Sequence, residues 1–255
     1  LVGSEMCIRD RDFTLCENFT KVNLDPCGLS EYIRIPEEIV EKKGVFLLNK
    51  IDFEKGTFIE PLACCIRAIN KIKPEINDKI VIFGSGPAGL LHCMLLNSMG
   101  ISKIVCIDIN QKRLEFAKKV GAELTLNPNQ DDIHKEIKYW SDNIGADIVI
   151  VATSNTKAIS DSINVVRKGG KVCLFGSPRK DDKLEIEPAK IFIKEIKIIP
   201  SYSTTEYEIQ QAIYLLETGK INPEIIITHR FSLENSIEAI KVSEKGEAIK
   251  AIVLN

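Results

Sequence analysis

One turn constrains this chain more than any other feature. An apolar run, Ile80–Phe83, passes directly into Gly84-Ser85-Gly86-Pro87-Ala88-Gly89 and then into a stretch with helical spacing. In a strand–turn–helix of this kind each glycine has its own task. Gly84 makes the tight turn, Gly86 lets the backbone approach a pyrophosphate, and Gly89 lets helix and strand pack closely. The helix start adds unpaired N–H groups and the positive end of its dipole, both suited to phosphate. A glycine turn can also be purely structural. What favours a ligand is the acid that follows: the second apolar run ends at Asp108, 19 residues after Gly89, where a carboxylate can accept from ribose hydroxyls. Turn, context and acid together predict dinucleotide binding. They predict NAD over NADP, because a 2′-phosphate at Asp108 would meet like charge. Arg113 could neutralise such a phosphate or stack on the adenine.

The pattern around the turn sets the fold class. Short apolar runs at Ile80–Phe83, Ile104–Ile107, Asp147–Ala152 and Lys171–Phe175 alternate with amphipathic stretches at Ala88–Met99, Gln111–Val120, Asp131–Trp140 and Lys157–Arg167. Gly100, Gly121, Gly145 and Gly169-Gly170 fall at the stops. Such alternation with short connections calls for a doubly wound α/β fold of the Rossmann type, a parallel sheet covered by helices on both faces. After Pro200 the rhythm changes, with helical Glu206–Glu217, a strand near Ile225–Thr228, helical Leu233–Ser243 and a last strand near Ile249–Leu254. The 34 basic and 36 acidic residues give a net charge of -2, which supplies no electrostatic case for nucleic acid or an anionic membrane. No apolar run approaches the ~18 residues of a membrane span.

The amino-terminal LVGSEMCIRDR has no periodicity, and Glu5 to Asp10 read as the translation of a transposon-end sequencing adapter, GAG ATG TGT ATA AGA GAC. Residues 1–11 are therefore expected to be a scar, and the gene to continue upstream. Eight cysteines without a secretory leader or disulfide-like spacing predict reduced thiols. His92, His134 and His229 share no metal-binding spacing and read as structural or surface residues.

Several dispersed motifs, in order, resemble the medium-chain dehydrogenase/reductase family, and within it the zinc-dependent alcohol and polyol group of the sorbitol and threonine dehydrogenase kind. They are Leu15-Cys16-Glu17-Asn18, Gly28-Leu29-Ser30-Glu31-Tyr32 with Pro36, Glu60-Pro61-Leu62-Ala63, the Gly84–Gly89 turn, Arg167-Lys168-Gly169-Gly170 and Thr228-His229-Arg230-Phe231. Cys27 departs from the family, which usually has glycine there. The resemblance implies that residues 12–60 are the remnant of a mostly β catalytic domain, residues 61–203 the NAD-binding domain, and residues 204–255 the catalytic domain's return. It implies that Cys16 is one of four thiolates on a structural zinc; taken alone, without the Leu15-Cys16-Glu17-Asn18 context, it reads as an ordinary thiol. Glu60 resembles a position at the catalytic zinc; the alternative is a carboxylate capping the next helix.

Tyr202 resembles a position near the substrate's distal hydroxyls or, alternatively, an interdomain packing aromatic, and Ser201 beside it a position along the nicotinamide. Thr153, Phe175, Gly176 and Ser177 resemble loops closing over the nicotinamide ribose. Lys250 resembles a cationic position near the pyrophosphate, or is a solvated lysine. A small alcohol or polyol substrate and homo-oligomeric assembly follow from the same resemblance, while the reduced cysteines point to a cytoplasmic location. The remaining zinc ligands would lie upstream, so the 255-residue chain itself is expected to be inactive. Two alternatives remain at this point: a zinc-independent quinone reductase-like member, and a non-catalytic dinucleotide sensor.

Overall fold

The computed structural model describes residues 13–15, 24–26, 28–41 and 44–254. The chain divides into two compact units, one formed by Leu1–Ala63 with Ser203–Asn255 and the other by Cys64–Tyr202. Helix α1, Ile59–Ile72, runs through the first boundary.

The second unit is built on six parallel strands: β1 (Ile80–Phe83), β2 (Ile104–Ile107), β3 (Leu124–Leu126), β4 (Ala146–Val151), β5 (Val166–Leu174) and β6 (Lys197–Pro200), in spatial order β3-β2-β1-β4-β5-β6. Helices α2 (Pro87–Ser98), α3 (Gln111–Lys119), α4 (Ile133–Trp140), α5 (Thr156–Val165) and α6 (Pro188–Lys194) connect them. Every residue of β1 and β2 is buried, which explains why these strands read as unbroken apolar runs rather than alternating ones. The pleat still sorts side chains by parity. Val81, Phe83, Val105, Ile107, Val149 and Val151 join one core with Ile133, Ile137, Ile159 and Ile163 of the covering helices. Ile80, Ile82, Ile104, Cys106, Ile148 and Ile150 fill the opposite face and are equally buried.

The strand order reverses direction between β1 and β4. In an open parallel sheet the crevice at that switch point, beyond the carboxyl ends of the strands, is where ligands bind.

Four strands differ from the sequence expectation. Gly169 and Gly170 do not stop the preceding helix; they lie inside β5, where Gly169 adopts φ 70° and the pairing with β4 shifts register between Ala146 and Ile148. β3 and β6 are additional strands that the apolar pattern did not reveal, because one is three residues long and the other an exposed edge. In the first unit the strand expected at Ile225–Thr228 is β7, Ile227–Ser232, preceded by a 3-10 turn over Pro223–Ile226. Pro223, in the first helical turn, suits that turn and cannot donate to a ladder. β7 pairs in parallel with β8, Lys250–Leu254. Helices α7, Glu206–Glu217, and α8, Ser236–Glu244, belong to this unit. Among the described residues no helix is long and apolar enough to cross a membrane.

Candidate cofactor site

The site begins where β1 ends. Gly84 has φ +93°, and a Cβ there would stand 3.0 Å from the Ala152 carbonyl oxygen. At Gly89 a Cβ would fall 1.8 Å from the Gly84 carbonyl oxygen, so the turn closes only around glycine. Gly86 differs from both. Its backbone is ordinary, φ −69° and ψ −174°, and a Cβ would meet nothing within 4 Å. Neither strain nor packing asks for glycine at Gly86; the open space beyond it does, if something else is to occupy that space. Gly86 is also the N-cap of α2 and, having no side chain, leaves the first helical N–H groups without a side-chain cap. The residues present therefore fit a dinucleotide phosphate at this turn.

Asp108 follows β2 on the same carboxyl edge. It is 8% exposed, and both its carboxylate oxygens accept backbone hydrogen bonds: Oδ2 from Ser85 N–H at 2.8 Å and Oδ1 from Asn110 N–H at 2.8 Å. Arg113 Nη1 stands 3.7 Å from Oδ2, with its own Nε buried and without a hydrogen-bond partner among the described residues. Asn110 caps α3 by accepting from Arg113 N–H, which fixes where that arginine starts. The sequence pattern located the acid but missed its second task, the clamp on Ser85.

Across the switch point lie the loops after β4, β5 and β6. Phe175 N–H and Gly176 N–H both donate to the Val151 carbonyl, at 3.1 and 2.8 Å, and Ser201 N–H donates to Leu174 O at 3.0 Å. A Cβ on Gly176 would stand 2.3 Å from Thr153 O, so the Thr153 and Phe175 loops touch main chain to main chain. A cavity of about 290 Å³ opens here, lined by residues that include Val151, Leu174, Phe175, Ser177, Ser201 and Tyr202. Ser201, another lining residue, has a buried Oγ with no hydrogen-bond partner among the described residues. Tyr202 stands at the rim, 58% exposed.

Of the predicted residues, Gly84, Gly86, Pro87, Ala88, Gly89, Asp108, Arg113, Thr153, Phe175, Gly176, Ser177, Ser201 and Tyr202 thus share one edge of one sheet. Glu60 and Lys250 belong to the other unit. Glu60 is in the first turn of α1, where the helix dipole favours a carboxylate. Lys250 Nζ lies 5.4 Å from the centroid of the Phe58 ring, and its pKa is lowered by burial, with the charge of Glu60 pulling the other way. Lys250 is therefore a half-buried cation beside an aromatic ring and a carboxylate, not a freely solvated lysine. Among the described residues no three His, Cys, Asp or Glu side chains converge as a metal site would require, so Glu60 has no such set around it. Cys16 lies outside the described residues.

With that geometry in view, comparison with known proteins places the chain in a family. The zinc-binding dehydrogenase profile matches residues 87–218, and the chain belongs to that family. Over 250 residues the chain is 28% identical to Probable D-xylulose reductase A of Aspergillus fumigatus, covering 94% of this chain and 67% of that protein. It is 28% identical over 243 residues to D-arabinitol dehydrogenase 1 of Uromyces fabae, covering 93% of this chain and 68% of the relative. Among solved structures, a zinc-binding dehydrogenase fold from Sinorhizobium meliloti 1021, bound to NADP, superposes with a TM-score of 0.88 at 25% identity, covering 99% of this chain and 73% of that one.

Proposed function

We propose that the protein is an oxidoreductase that passes a hydride from a secondary alcohol of a polyol or similar small molecule to NAD. The observation that carries the binding half is Gly86, a glycine that neither backbone nor packing demands, facing open space at an uncapped helix start. The alcohol half is supported by the family and by similarity to proteins named xylulose reductase and arabinitol dehydrogenase. The Sinorhizobium meliloti structure holds NADP, so that likeness supports a nicotinamide dinucleotide in general. Preference for NAD rests on this chain's own Asp108.

In this reading the α2 start holds the pyrophosphate; a cofactor role for Lys250 rests on the family resemblance alone. Asp108 keeps acceptor capacity for the adenosine ribose, since each carboxylate oxygen has two lone-pair sites and one is already used. Arg113 flanks the adenine side. The Thr153 and Phe175–Ser177 loops and Ser201 hold the nicotinamide half against a largely apolar wall suited to hydride transfer. Tyr202 at the rim would meet the substrate. Zinc enters through the family, with Glu60 at the catalytic ion and Cys16 at a structural one; the described residues assemble no complete donor set, and no step is assigned through the metal. Homo-oligomeric assembly and a cytoplasmic location belong to the same reading. Titration of the chain with NADH, followed by fluorescence, tests it. Saturable binding that NAD displaces is expected, and its absence overturns the cofactor assignment.

A further inference from the structure

His92 sits in the interior of α2 and is fully buried. Its Nδ1 lies 2.9 Å from the Ala88 carbonyl, one turn back in the helix. A carbonyl can only accept, so Nδ1 carries the proton and Nε2 is a bare acceptor. Nε2 is buried with no hydrogen-bond partner among the described residues. The imidazole stands edge-on to the Phe175 ring, with centroids 4.5 Å apart and planes at 87°.

Stability does not account for a histidine here. A leucine would fill the space without leaving a buried acceptor unpaired, and such an acceptor destabilises. Ala88 O would lose nothing essential, since it still receives the helical N–H. What the imidazole adds is a fixed ring angle, set by the Nδ1–H bond, and an edge-to-face contact of the kind aromatic pairs prefer. That contact falls on the side chain of Phe175, whose main chain is already pinned to Val151 O and which is one of the residues lining the cavity, with Ser177 and Ser201.

We infer that His92 is a positioning residue for the nicotinamide half of the cofactor: its imidazole, hung from the first turn of the phosphate-binding helix, holds the Phe175 ring in place as a wall of the cavity across the switch point. The inference rests on the cofactor assignment proposed above. It joins the two ends of one dinucleotide site through a single side chain.

The test compares two ligands on the whole 255-residue chain: NADH, and ADP-ribose, which has the same adenosine and pyrophosphate but no nicotinamide. His92→Leu should weaken NADH about three- to tenfold, the span an aromatic edge contact covers, and leave ADP-ribose unchanged. Its thermal midpoint at neutral pH should equal or exceed that of the parent. Phe175→Leu, which leaves the helix interior intact, should show the same selective loss. His92→Phe keeps a ring in place and should stay within about twofold of the parent for NADH. Loss of both ligands together, or of neither, in the two leucine variants overturns the positioning role. A phenylalanine variant as impaired as the leucine variant overturns the ring contact as its cause. Failure of the parent chain to bind either ligand would instead refute the cofactor assignment, and the parent titrations alone show which has failed.

Discussion

The N–H of Ser85 donates to Oδ2 of Asp108 at 2.8 Å, tying the middle of the glycine turn to the end of the neighbouring strand. The residue proposed to select the ribose therefore also holds the shape of the glycine turn. Changes at Asp108 cannot touch one function alone.

That coupling gives the first expectation. Asp108→Asn retains one oxygen and turns an NH2 toward either Ser85 N–H or Asn110 N–H, a donor facing a donor. Such a mismatch destabilises by about 1–3 kcal/mol. With the negative charge gone, the preference for NAD over NADP should fall about tenfold or more. Paired titrations with NADH and NADPH check it, and an unchanged ratio would remove Asp108 from the specificity argument.

Gly86 and Gly89 should respond in opposite ways. Gly86→Val places its side chain in open space at an unstrained N-cap, so the fold should survive with a loss of about 1 kcal/mol or less. NADH affinity should fall by more than about tenfold, because the valine occupies the cradle. Circular dichroism and fluorescence titration on the same sample separate the two effects.

Gly89→Ala, by contrast, should fail by folding. The added carbon would stand 1.8 Å from Gly84 O, and relief requires moving backbone on both sides. Overpacking of this kind typically costs about 1–3 kcal/mol and more where main chain must shift. A denaturant midpoint equal to the parent's would show that the turn is looser than this geometry.

Acid should weaken the fold through His92. Burial pushes its pKa down to about 4 from 6.5. The folded state thus keeps the ring neutral while the unfolded chain binds a proton. The resulting loss of stability is absent above pH 6.5 and grows as pH falls toward about 4. The window corresponds to roughly 3 kcal/mol at one pKa unit per 1.36 kcal/mol. His92→Leu has no proton to take up, so its unfolding free energy should fall less between neutral pH and pH 4.5. Parallel pH slopes for parent and variant would place the titrating group elsewhere.

The strands of the parallel sheet and the glycine turn were legible in the amino acids because their signals are local. β1, β2 and most of β4 are buried on both faces, which demands nearly continuous apolar residues, and the turn's geometry requires glycine at Gly84 and Gly89. Gly169 and Gly170 show the limit of that reasoning: taken as stops, they sit inside β5, since a register shift against β4 absorbs them. β6 escaped because an exposed edge strand lacks the apolar signature of its neighbours. His92 read as a structural residue; only the folded chain shows its Nε2 without a partner among the described residues and its ring against Phe175. Local pattern cannot state such relationships. Ser85 meets Asp108, and His92 meets Phe175, because strand order and register bring distant segments to one edge of one sheet, and those are properties of the whole packed layer.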